Sequence, residues 1–145
     1  MAGNTALLAF GDDGFQVVDV SIPSRAKKVG SVNTPGYAYD VQVLSNRLYL
    51  ADGGAGVSIY DVSSPTNPVK LSSYDLGYGY GYGHGARRLY VTPDWTYVAE
   101  GSDGVRILDT HNISNLFSCG HFDTDDFAND IYAVSNTIYV ADKSG

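Results

Sequence analysis

The stretch Asn46–Val62, NRLYLADGGAGVSIYDV, lies without a gap over Asn4–Val20, NTALLAFGDDGFQVVDV. Asp94–Thr110, DWTYVAEGSDGVRILDT, is a third copy, and Asn136–Gly145, NTIYVADKSG, opens a fourth. Successive copies are offset by 42, 48 and 42 residues. A period of this length marks an array of one supersecondary unit, so most recurrent residues serve packing.

Residues 36–74 give the clearest unit. Ala38–Leu44 alternates and is partly β-branched, Asn46 turns the chain, and Leu48–Asp52 reads as a second strand. Gly53-Gly54-Ala55-Gly56 is a tight loop, Val57–Val62 a third strand, Ser63–Pro68 a turn cluster and Val69–Tyr74 a fourth strand. Four short strands punctuated by Gly, Asn and Pro make an antiparallel meander. Repeated radially, that meander is the blade of a β-propeller. The expected fold is therefore all-β, with four-stranded antiparallel blades and no helix longer than a turn or two. Expected strands are 5–10, 14–20, 27–33, 38–44, 48–52, 57–62, 68–74, 86–92, 96–100, 105–110, 115–122, 129–134 and 138–142.

Apolar residues on both faces of the third strand predict sheets covered on both sides. Phe15/Val57/Val105 and Val17/Ile59/Ile107 share one face, and Val18/Tyr60/Leu108 the other. Ala9, Ala51, Ala99 and Ala141 recur at one position of the second strand, where a small side chain lets a neighbouring sheet approach. Asp19, Asp61 and Asp109 recur at the end of the third strand, the first two opening Asp-Val-Ser-x-Pro. An aspartate there bonds backbone N–H groups two residues on, a structural role.

The sub-motifs G-x-A-x-x-V-x-V, Tyr-x-Ala-Asp and Asp-Val-Ser-x-Pro-x-x-Pro, best kept in residues 36–74, resemble the LVIVD repeat family over nearly the whole chain. The resemblance implies a propeller-like fold and an extracellular or cell-surface setting, and it carries no shared catalytic residues. Two departures are local. Phe10 replaces the acid seen as Asp52, Glu100 and Asp142, and Asp109–Leu116 has lost both prolines.

The chain reads as one repeat domain: a partial repeat over 4–35, repeats over 36–83 and 84–127, and a partial repeat over 128–145. A propeller closes with 4–8 blades. About three repeats therefore predict an open or partial propeller, completed by self-association or by a longer parent chain.

A net charge of −7 disfavours nucleic acid as a partner. No apolar run approaches a membrane span. MAGN has no charged n-region and no apolar stretch follows it, which fits a cytosolic protein, a mature form or an excised segment. The single Cys119 excludes an internal disulfide framework and reads as a small buried hydrophobe.

Loops joining second to third strands share one end of the array with loops joining repeat to repeat. That end gathers Asp12, Asp13, Asp52, Glu100, Asp103 and Asp142 with Tyr37 and the run Gly77–Gly85, GYGYGYGHG. This run supplies the six extra residues of the 48-residue repeat. Tyrosines offer large contact area at low entropy cost, so Tyr78, Tyr80, Tyr82 and His84 either contact a protein or carbohydrate ligand or cover a blade edge. Asp52, Glu100 and Asp142 join them as candidate ligand-binding residues.

Asp123, Asp125 and Asp126 supply hard oxygens at the close spacing Ca²⁺ accepts, without the Gly and terminal Glu of an EF-hand loop; a solvated acidic loop is the alternative. Other cofactors are not expected. His84, His111 and His121 show no zinc spacing, and no catalytic or nucleotide-binding motif occurs. Asn112-Ile113-Ser114 is a glycosylation sequon in an expected surface turn. The expected function is a non-enzymatic module acting by binding or self-assembly. The alternative is a carbohydrate-active hydrolase or lyase using the acidic, Tyr/His-rich end.

Overall fold

A computed structural model describes residues 4–77 and 83–143. Its strands are β1 (Thr5–Ala9), β2 (Phe15–Asp19), β3 (Lys27–Val32), β4 (Asp40–Leu44), β5 (Arg47–Ala51), β6 (Val57–Asp61), β7 (Val69–Tyr74), β8 (His84–Val91), β9 (Trp95–Gly101), β10 (Val105–Asp109), β11 (Phe117–Phe122), β12 (Phe127–Val134) and β13 (Thr137–Lys143). The helical content among the described residues is one 3-10 turn, Pro23–Arg25. The fold is all-β and of the propeller type, as the repeat predicts.

Neighbouring strands pair antiparallel in sequence order within each repeat. Strands β1-β2-β3 form one sheet and β4-β5-β6-β7 the next. Strands β8 to β11 form a third, which joins the β12–β13 ladder through a single residue pair, Gly101 with Ala128. The same junction occurs twice more as isolated bridges, Gly11 with Ala38 and Gly53 with Ala86. Each of these exchanges two backbone hydrogen bonds, at 3.3 and 3.0 Å for Gly11–Ala38 and 3.0 and 3.0 Å for Gly53–Ala86. The alanine of the G-x-A motif is thus the residue that ties one repeat to the one before it.

A bulge sits at one place in each complete third-to-fourth strand pair. The register shifts between Val17 and Val18, between Ile59 and Tyr60, and between Ile107 and Leu108. The extra residue falls in the outer strand, at Val29, Leu71 and Cys119. Cys119 sits on this bulge of β11, the edge strand of its sheet, and is exposed, not the buried hydrophobe expected from its type. Its thiol donates to the carbonyl of Ile107 at 3.3 Å.

The core lies between sheets. Phe15 and Val17 of β2 pack with Leu48, Leu50, Tyr60 and Val62. Tyr49, Ala51, Val57 and Ile59 leave the other face of the second sheet and pack with Leu89, Val98 and Leu108. Ala99 and Val105 then meet Ile131, with Ile138 and Val140 alongside. Each sheet thus sends one set of positions forward to the next sheet and receives the preceding sheet on another, as the two-faced apolar pattern requires.

At the far end of the strands, the recurrent aspartates bond the backbone two residues on. Asp19 accepts from Ser21 N–H at 2.9 Å, Asp61 from Ser63 at 2.7 Å and Asp109 from His111 at 2.9 Å. The Ser21 hydroxyl and N–H hold the Asp19 carboxyl below its usual range, and Ser63 does the same for Asp61.

Ala51 and Ala99 are fully buried, whereas Ala141, at the same position of β13, is exposed on the open face of the last ladder. Ala51→Leu is expected to overpack the junction and cost about 1–3 kcal/mol. Urea unfolding checks this as a lowered midpoint.

Candidate functional site

The loops expected to share one end do meet there, because the Gly–Ala bridges bring each second-to-third strand loop against the start of the following repeat. Over these bridges runs a continuous stack of side chains. Tyr37 lies against Tyr39 with ring centroids 4.7 Å apart. The Arg87 guanidinium sits 4.8 Å from the Tyr39 centroid and 4.6 Å from that of Phe127. Tyr39, Arg87 and Phe127 flank the bridge alanines Ala38, Ala86 and Ala128, so the backbone bridge itself positions them.

The bridge glycines make room for this stack. A Cβ on Gly101, which has φ +65°, would stand 2.9 Å from the Phe127 ring and 3.0 Å from Arg87 Nε. One on Gly11 would stand 3.0 Å from the Tyr37 ring. Arg87 Nε is shut off from solvent with no hydrogen-bond partner, so this guanidinium is held chiefly by the two rings. Tyr37, at the free end of the stack, is exposed.

His84 lies beside the stack. Its Nδ1 is 2.7 Å from Asp103 Oδ2, and His121 Nε2 donates to the Asp103 carbonyl at 2.6 Å. The Ser102 hydroxyl donates to the Gly83 carbonyl at 3.1 Å. Ser102, Thr124, Asp125, Asp126 and Phe127 line a small open cleft next to this cluster. Tyr78, Tyr80 and Tyr82 fall outside the described residues, so His84 is the described member of that run's candidate set.

The acids at this end divide. Asp52 and Glu100 are fully buried. Asp52 accepts from the Thr34 hydroxyl at 2.7 Å and from Gly36 N–H at 3.2 Å, clamping the linker that enters its repeat. Glu100 takes Arg106 on both oxygens, at 2.6 Å from Nε and 3.1 Å from Nη2. Both carboxylates are turned inward and committed to internal partners. Asp142 is exposed. Asp123 and Asp125 are exposed, and Asp126 accepts from Phe127 N–H at 2.8 Å. Among the described residues no three His, Cys, Asp or Glu side chains are grouped to hold a metal ion.

Sequence reasoning picked out Tyr37 and His84 but not Tyr39, Arg87, Phe127 or the pairing of His84 with Asp103. The available signal was position: the missed stack residues adjoin the recurring alanine of the G-x-A motif.

Burial pushes the Asp52 carboxyl up, against the opposing hydrogen bonds from Thr34 and Gly36. A raised folded pKa means the folded state holds a proton the unfolded chain has released. That contribution is fully present below the ordinary carboxylate range and is lost as pH rises through the raised value. Asp52→Asn removes this titration. The stability of the wild type relative to the variant should therefore fall with rising pH across that window and level off above it. Urea midpoints for both proteins across an acidic pH series provide the check.

Comparisons with known proteins agree with this architecture. The crystal structure of the computationally designed Ika4 protein superposes with a TM-score of 0.76 at 10% identity, over 99% of this chain and 82% of that one. The crystal structure of the N-terminal domain of Nup159 gives 0.54 at 12% identity, over 93% and 35%. A chain of the S. cerevisiae assembly of Dbp5 with Nup159, Gle1, IP6 and ADP gives 0.57 at 11%, over 97% and 36%. At these identities the likeness is one of fold. No curated protein sequence matches. The LVIVD repeat family model matches residues 1–34, 35–76 and 83–124, most of the sequence, and the chain belongs to the LVIVD repeat family.

Proposed function

We propose that the chain is a non-enzymatic propeller-type module, displayed at the cell surface or outside the cell, that works by binding. Its ligand is a protein or a carbohydrate taken at the end that carries the Tyr37–Tyr39–Arg87–Phe127 stack. That stack is the observation behind the reading. It offers a flat aromatic face at Tyr37, held in place by a cation sandwiched between rings on successive repeats. Rigid aromatic faces suit sugar rings and protein side chains alike, because little side-chain entropy remains to be lost. Asp52 and Glu100, the carboxylates that a glycosidase reading would call on, are occupied by internal partners. The exposed Asn112 at the opposite end supports a setting in which glycosylation can occur without touching the ligand end.

A second reading is favoured by the His84–Asp103 pair. A carboxylate on Nδ1 fixes the orientation of an imidazole, and that arrangement serves general acid–base chemistry. In this reading the chain is a carbohydrate-active hydrolase or lyase with His84 as its proton-transfer group.

A glycan array, a protein-binding screen and a hydrolysis assay on the same preparation separate the two. The binding reading expects capture of a ligand without turnover. Tyr37→Ala should weaken that capture by about 1–2 kcal/mol, roughly five- to thirtyfold in Kd. Turnover that disappears in His84→Ala would establish the enzyme reading instead.

A further inference from the structure

The two outermost faces of the array repeat, position for position, the two halves of an interface the chain builds internally. At each internal junction a sheet sends forward the second-strand positions held by Tyr49 and Ala51. It receives the preceding sheet on the positions held by Leu48, Leu50, Tyr60 and Val62. In β13 the forward positions are Tyr139 and Ala141. Tyr49 is 1% exposed and Tyr139 is 59% exposed. Tyr132, across the ladder from Tyr139, is 57% exposed, and the two line a groove with Asp130, Ile131, Val140 and Ala141. In the first sheet the receiving positions are Ala6, Leu8, Val18 and Val20. Leu50 is fully buried, whereas Leu8 is 44% exposed.

We propose that the 145-residue chain associates head to tail with a second copy of itself, the open face of the β12–β13 ladder of one copy packing on the open face of the β1–β2–β3 sheet of the next. The contact continues a junction already made inside the molecule. A large aromatic is sent forward from the second strand onto a face of aliphatic residues, with a small alanine beside it for close approach. The two faces differ from each other, so the contact is heterologous. Each copy keeps one face for a further neighbour, which closes a ring or extends a chain according to the rotation per copy. Exposed large apolar side chains grouped on one face, as Tyr132 and Tyr139 are, mark association sites. The proposal rests on the binding reading only in taking association as the mode of action, and it does not involve the ligand end.

The test is sedimentation velocity on the 145-residue chain across the micromolar range without ligand, so it and the glycan screen fail separately. The expected result is a concentration-dependent species heavier than the 15.5 kDa monomer. Tyr139→Glu and Leu8→Glu each place an unpaired charge in the contact and should weaken association at least about tenfold. Both residues are exposed in the isolated chain, and circular dichroism confirms that the variants are folded. Tyr139→Ser and Leu8→Ser serve as milder replacements. Phe122→Glu, on the outer strand β11, should leave association unchanged. An equimolar mixture of Tyr139→Glu and Leu8→Glu is the discriminating experiment. Each retains the face the other has lost, so the mixture should form a one-to-one dimer while each alone stays monomeric. A wild-type chain that is a folded monomer throughout this range overturns the proposal. So does association that survives both substitutions, or a mixture that does not recover a dimer.

Discussion

The backbone exchange between a glycine of one repeat and an alanine of the next is the constraint on which the rest of this structure depends. It occurs as Gly11–Ala38, Gly53–Ala86 and Gly101–Ala128. A net contribution of about 0.5–1.5 kcal/mol per hydrogen bond does not make it the largest energetic term. Its importance is geometric. It fixes where the inner strand of a repeat begins relative to the preceding sheet, and so decides which side chains face each other across the junction. Around it, the side chains of Asp40 and Gln42 reach the next inner strand. Asp40 accepts from Leu89 N–H at 3.0 Å, and Gln42 accepts from Val91 N–H at 3.1 Å while donating to the Leu89 carbonyl. At the following junction Tyr90 meets Tyr132 edge to face at 4.8 Å, a different chemistry serving the same place.

The fold was legible because it is written three times. Every expected strand is present, and the bounds move by a residue or two where a bridge or bulge intervenes. Strand β12 begins at Phe127 and not at 129, since Ala128 is drawn into pairing with Gly101. The Asp19, Asp61 and Asp109 turns were readable for the same reason: their partners lie two residues away. Cys119 departs from its expectation because it lies on a bulged edge strand, and the residue type alone carries no trace of an edge or a bulge.

The candidate site was only partly legible, and the cause is distance along the chain. Asp52 finds its partners at Thr34 and Gly36, 18 and 16 residues back in the linker that enters its repeat, so strand alternation alone could not show that this acid turns inward. Glu100 was closer to readable. Arg106 stands opposite Val98 in the β9–β10 register, on the strand paired with the one that carries Glu100, where the other repeats have Gln16 and Ser58. The stack of Tyr37, Tyr39, Arg87 and Phe127 draws on the starts of three inner strands, β4, β8 and β12, far apart in the sequence, and uses residue types that do not recur. A search for repetition passes over such a feature, because it lies at positions where the repeats differ.

The bridges also bear on how the molecule comes apart. Since each repeat is tied only to its neighbours, cooperativity is a sum of nearest-neighbour terms and not a property of a single central core. The second sheet has covered neighbours on both sides, and its strands β5 and β6 are almost wholly buried, while β13 is largely exposed along its length. Opening therefore propagates inward from the β13 side, and amide protons should be lost to solvent in that spatial order. A molecule built this way has a stability profile instead of a single stability, and its most persistent part is the repeat whose sequence keeps the motif most faithfully.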